Sequence, residues 1–178
     1  MEWNVVVSIN REGFQRAVRA LRDLGVVERT KYHNVLVVAA ENPHSLLERI
    51  EQRTRADPAL YDAISRVAPA VRCFVFHTAE EFEERARAAV MEWLPQLSGR
   101  AFHVRLHQRV FKHDLSSAIT EPLLGKALLD ALEQQGAHGS ISFSDPDAVI
   151  AIDTVDDRAG LALWTREDLS RYRMLRPD

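Results

Sequence analysis

Two spacings of apolar residues, every second position and every third or fourth, alternate along residues 1–77 and divide them into strands and helices. Trp3 to Ile9 is rich in Val and reads as a strand. Arg11 to Leu24 carries Phe14, Ala17, Val18, Leu21 and Leu24 on one helical stripe, and Gly25 is placed to end it. Val26 to Lys31 and Asn34 to Ala40 read as strands joined by a tight turn at Tyr32-His33-Asn34. Asn42 is placed to cap the next helix, and Pro43 suits its first turn because a missing N–H costs nothing there. Leu46, Leu47 and Ile50 give that helix an apolar face. Either Ala63 to Val67 or Val71 to Phe76 supplies the closing strand.

The order βαββαβ is that of a ferredoxin-like split unit. The second half opens with a capping box, Thr78 to the third helical amide and Glu81 back to the Thr78 amide. Phe82, Ala86, Ala89, Val90 and Trp93 then recur at helical spacing. Ser98-Gly99 turns into a strand, and a further helix with the stripe Leu124, Ala127, Leu128, Ala131 and Leu132 ends at Gly136, capped by Thr120 or Ser117 with Pro122 in its first turn. Ala148 to Thr154 and Gly160 to Trp164 read as strands, the first apolar enough to be central and covered on both faces. Arg166 to Met174 reads as a short final helix. The boundary falls near 76–79 with no flexible linker, which predicts two domains packed rigidly together.

Composition narrows the class. Of 178 residues, 46% are hydrophobic and 28% charged, as in an ordinary folded domain. No apolar run approaches the roughly 20 residues of a membrane span, and the N-terminus lacks a signal-peptide pattern. The single cysteine, Cys73, excludes an internal disulfide and a multi-cysteine zinc site, and fits a reducing cytoplasm as a buried inert thiol.

Net charge is −3, but its distribution is uneven: residues 1–77 sum to +2 and residues 78–178 to −5. Within the acidic half, residues 100–113 hold four Lys/Arg, three His and no acid. Strand alternation puts Phe102, Val104 and Leu106 on a core face and His103, Arg105, His107 and Arg109 on the other. A solvated face of that kind suits a phosphate backbone, and its confinement to one stripe implies a defined site. The guanidinium fork of Arg105 and Arg109 matches two phosphate oxygens, with Lys112 as a nearby point charge.

Residues 79–165 resemble a THUMP domain, the module found in tRNA thiolation, pseudouridylation, methylation and acetylation systems. The matching pieces are the Ala- and acid-rich helix, the strand Phe102-His103-Val104-Arg105 followed by Arg109, a helix carrying Gly125, and the turn Asp145-Pro146-Asp147 before the apolar strand Val149 to Ile152. Family members often carry a basic residue and a Gly in the turn after the strand, where this chain has Gln108 and Val110. The βαββαβ half resembles the ferredoxin-like domain that accompanies THUMP domains. The resemblance implies an α+β / α/β fold: an N-terminal ferredoxin-like domain, residues 1–77, packed on a C-terminal THUMP α/β domain, residues 78–178. Family enzymes append a catalytic domain, and none is expected here. The implied protein is a free-standing tRNA-binding module, similar in layout to the adaptor of a tRNA cytidine acetyltransferase, which docks tRNA near the acceptor stem and 3′ end and presents it to a separate modification enzyme.

The expected RNA-binding residues are His103, Arg105, His107, Arg109, Lys112, Gly125 and Lys126, with no catalytic residues, cofactor or metal. Gly125 inside a helix has two readings, close packing or close approach of RNA backbone. His103 and His107 lie roughly 13 Å apart on a strand, at about 3.3 Å per residue, too far to share a metal ion. They would be solvated or stack on bases. Asp145, Asp147, Asp153, Asp156 and Asp157 read as turn acids. Two rival readings stand beside this one. One is a small metal-dependent enzyme using the His residues and the 145–157 acids; the other is a scaffold for protein partners.

Overall fold

The computed structural model describes residues 1–109 and 115–176. Its contacts divide into two compact units, Met1–Val71 with Leu169–Arg176, and Arg72–Asp168. The fold class is α+β, with one sheet in each unit.

In the first unit, β1 (Val5–Ile9), α1 (Phe14–Leu21), β2 (Val26–Arg29), β3 (Val35–Ala39), α2 (Pro43–Ala56), the short α3 (Ala59–Ala63) and β4 (Ile64–Pro69) follow in order. The sheet order is β2-β3-β1-β4, antiparallel throughout, which is the ferredoxin-like arrangement. β1 is central, which explains its run of valines: Val5, Val6 and Val7 are all buried. Asn42 caps α2 as its sequence position implies, accepting from the Ser45 N–H at 3.0 Å. Asn34 takes the left-handed turn conformation, φ 60°, that lets β2 and β3 meet.

β4 closes this sheet, so Ala63–Val67 and not Val71–Phe76 is the edge strand. Its free side is not left open. The Val67 N–H donates to the Met174 carbonyl at 2.7 Å, and Arg66 Nε donates to the Leu175 carbonyl at 3.1 Å. This pairing corrects two expectations. The final helix, α7 (Arg166–Arg171), stops short of Met174, and residues 169–176 belong with the first unit although they follow the second in sequence.

The second unit contains β5 (Arg72–Val75), α4 (Ala79–Met91), α5 (Leu94–Leu97), β6 (Arg100–His107), α6 (Ser117–Gln134), β7 (Gly139–Ile141), β8 (Ala148–Val155) and β9 (Arg158–Thr165). The sheet order is β5-β9-β8-β6-β7. β5 pairs with β9, from Arg72↔Leu161 to Val75↔Arg158, so the boundary lies at 71/72 and not at 77/78. An apolar segment of that length can complete either sheet, and only long-range pairing chooses. β6 runs parallel to both β8 and β7, and α6 is the crossover that parallel neighbours require. The core gathers Phe76, Phe82, Phe102, Leu124, Leu128 and Ile150, with the Phe76 and Phe82 rings edge-on at 5.0 Å. All eight residues of β8 are buried, as its apolar sequence predicts.

The α4 cap differs in one bond. Thr78 accepts from the Glu81 N–H at 3.0 Å, but Glu81 reaches back to the His77 N–H at 2.9 Å, one residue before the expected amide. In α6 the expected caps, Thr120 and Ser117, lie inside the helix, and Ser116 occupies the cap position.

Gly13 at the start of α1 allows the closest approach in the first unit. A Cβ there would lie 2.4 Å from both the Cα and the carbonyl oxygen of Ala63. Backbone on the far side cannot rotate away. Gly13→Ala is therefore expected to destabilise the protein by about 1–3 kcal/mol, read as a lower urea midpoint with an unchanged slope.

Candidate nucleic-acid interface

Strand β6 carries three of the seven residues singled out in the sequence, His103, Arg105 and His107, and Arg109 follows it by two positions. Its alternation is real: Phe102, Val104 and Leu106 enter the core beneath α4 and α6. The opposite side chains do not form an open ledge. His103 is 3% exposed. Its Nδ1 lies 2.9 Å from the Ser142 carbonyl, its ring stands 5.1 Å from that of Phe143, and its Nε2 has no hydrogen-bond partner among the described residues. A buried ring held in this way is a packing element, which corrects its assignment as an RNA-stacking residue.

Arg105 and Arg109 have carboxylates beside them. Arg105 Nη1 lies 3.9 Å from Glu121 Oε1, and that carboxylate also accepts the Leu106 N–H at 2.8 Å. Arg105 keeps a third of its side chain exposed. Arg109 is more enclosed: its Nη1 lies 3.4 Å from Asp153 Oδ1, its N–H donates to Thr154 Oγ1 at 3.0 Å, and its carbonyl accepts the Asp156 N–H at 2.8 Å. The expectation of a fully solvated cationic row is thus overturned. Alternation reports which face a side chain takes, not what lies across from it, and both carboxylates arrive from distant segments. His107 is half-buried opposite Asp153 on β8. Lys112 lies outside the described residues.

Gly125 and Lys126 separate. Gly125 is buried, and a Cβ there would meet Ile141 Cδ1 at 3.3 Å, so its smallness serves the seating of α6 on β7 and not an approach of RNA. Lys126 is 77% exposed and pairs with Asp130 one turn along, at 2.8 Å. A surface pair of this kind is worth well under 1 kcal/mol and leaves the ammonium accessible.

The Asp145-Pro146-Asp147 turn is a structural clamp. Asp147 Oδ2 accepts the Ala101 N–H at 2.9 Å, the Asp147 N–H donates to the Ala101 carbonyl at 2.7 Å, and Arg166 reaches both Asp145 and Asp147. This ties the starts of β6 and β8 together. The Ala101 amide and the Arg166 guanidinium hold the Asp147 carboxyl below the usual carboxylate range. Burial pushes the Cys73 thiol up, in keeping with an unreactive side chain. No group of three His, Cys, Asp or Glu among the described residues is arranged to hold a metal ion, and no helix among them is long and apolar enough to cross a membrane.

A second concentration of cations, not singled out in the sequence, lies in the first unit. Arg16, Arg19 and Arg22 follow one another at three-residue spacing along α1 and line a cleft of about 740 Å³ with Arg53 of α2. The spacing was readable, because residues three apart on a helix are neighbours.

No protein-family model matches this chain, and no curated protein matches it in sequence. Solved structures do share its fold. PH1313 from Pyrococcus horikoshii Ot3 superposes with a TM-score of 0.62 at 13% identity, over 90% of this chain and 53% of that one. TrmN from Thermus thermophilus gives 0.59 at 17%, over 89% and 44%. A 4-thiouridine synthetase, solved as an RNA complex with bound ATP, gives 0.51 at 18%, over 92% and 42%. The likeness spans both units of this chain, which covers about half or less of the length of these proteins. At such identities it is a likeness of fold.

Two outcomes test the structural roles. Arg109→Ala leaves the buried Asp153 without this partner and is expected to cost about 3 kcal/mol, measured by urea unfolding. Asp147 has a depressed folded pKa, so its stabilisation is present above the unfolded value of about 3.9 and is lost as pH falls through the folded value. Asp147→Asn is therefore expected to be less stable than wild type at neutral pH, with the difference shrinking to nothing down the acid limb.

Proposed function

We propose that this chain is a tRNA-binding module without catalytic residues, which holds the acceptor stem and 3′ end of tRNA and presents them to a separate modification enzyme in the cytoplasm. The observation that carries this reading is the backbone arrangement it shares, over 92% of its length, with a 4-thiouridine synthetase whose structure contains RNA. The THUMP-like order of elements around β6 and the Asp145-Pro146-Asp147 turn supports it, as does the likeness to TrmN. Recognition would rest on RNA shape, because an A-form helix hides its base edges in a narrow major groove. Of the two arginines met by carboxylates around β6, Arg105 has the more exposed guanidinium, and Lys126 is the accessible cation of α6.

The enzyme reading loses support from the partners of its acids. Asp145 and Asp147 are engaged by Arg166, and Asp153 by Arg109. A carboxylate that anchors a strand is a poor proton shuttle.

The purified chain is expected to shift a tRNA in a gel titration, with affinity falling steeply as salt is added, because neutralised phosphates release counterions. Arg105→Gln, checked for unchanged stability, is expected to weaken binding about tenfold. Absence of any tRNA shift by the wild-type chain would refute the function; a shift unaffected by Arg105→Gln would remove Arg105 from the interface.

A further inference from the structure

The cleft in the first unit has the charge and form of a polyanion site. Arg16 and Arg19 project from α1, and Arg22 stands at its C-cap in helical conformation. At about 1.5 Å of rise per residue, the three form a row roughly 9 Å long, and a nucleic-acid strand carries a charge every few ångströms of its axis. All three side chains are exposed, and none has a carboxylate within ion-pair distance among the described residues.

Two acids line the cleft with the four arginines, and one of them, Asp23, is neutralised. Asp23 is gripped by Arg53 through both oxygens, at 2.8 and 2.6 Å, and Arg49 stands 3.9 Å away. Asp57 turns to the Ala59 N–H at 3.3 Å. The carbonyl end of α1 would repel an anion, but Arg53 also donates to the Ala20 carbonyl there. The Arg53 guanidinium holds the Asp23 carboxyl down at about 2, so this arrangement persists through the neutral range. Arg53 is thus a neutralising strut, and the α1 arginines retain an uncompensated charge.

We infer that Arg16, Arg19 and Arg22 form a binding site for the backbone phosphates of RNA, separate from β6. The inference rests on the RNA-binding reading of the chain. The lining residues argue for a backbone and against a free nucleotide: they include no aromatic ring to stack a base and no glycine to bring main-chain amides to a phosphate. Contacts of this kind fix position and carry no sequence preference.

The test compares the full-length wild-type chain with Arg16→Gln/Arg19→Gln/Arg22→Gln by tRNA anisotropy titration across a salt series. Arg72→Gln/Arg85→Gln/Arg87→Gln removes three cations already paired with Glu92, Glu81 and Glu83 and serves as the control for net charge. Far-UV circular dichroism and a thermal melt establish that each variant is folded. The expected result is an affinity at least about tenfold lower for the triple variant, with the slope of log K against log salt shallower by about two to three, and little change for the control. Wild-type binding with an unaltered triple variant overturns the cleft and leaves the function standing. An equal loss in the control also overturns the cleft, because bulk charge then accounts for the effect. A wild-type chain that binds no tRNA overturns both.

Discussion

A charge carried into a folded interior must find a counter-charge, and that requirement shapes the second unit. Strand β6 lies between β8 and β7, and one of its faces belongs to the core through Phe102, Val104 and Leu106. Its other face brings cations within reach of neighbouring segments, and Glu121 and Asp153 meet them. Desolvating an unpaired guanidinium costs several kcal/mol, so Arg109 near β8 calls for the Asp153 found there. Arg105, nearer to solvent, has a longer and weaker pairing. The same rule explains the Asp147 clamp, where a carboxylate satisfies a strand amide and an arginine together.

The two cationic regions therefore differ in kind. Around β6, Arg105 and Arg109 face carboxylates of α6 and β8. On α1 the arginines rest beside Asp23, whose charge Arg53 matches, so their own charge projects outward. A polyanion contributes counter-charge where the protein has supplied none, which makes the α1 row the better electrostatic ledge and β6 the more rigid one. A module using both would divide its work between grip and placement.

Much of the architecture was legible because it follows from local rules. The βαββαβ order, the Asn42 cap, the Thr78 cap and the hairpin around Asp156 and Asp157 rest on residues within a few positions of one another. The wholly apolar β8 announced a central strand. Less was legible where a segment had two equivalent destinations. Val71 to Phe76 could complete either sheet, and its pairing with β9 settled the boundary. Residues 172–176 could extend α7, but the open edge of β4 offered hydrogen bonds instead.

The candidate site divides along the same line. By itself the sequence determined which residues share a face of β6, because alternation is a property of the strand backbone alone. It also determined the three-residue spacing of the α1 arginines. Only the tertiary structure decided that His103 is packed against Phe143, that Gly125 serves the seating of α6, and that Glu121 and Asp153 stand beside Arg105 and Arg109. Side-chain direction is set within a few residues, whereas burial and charge pairing depend on segments brought together by folding, and no local pattern records those distances.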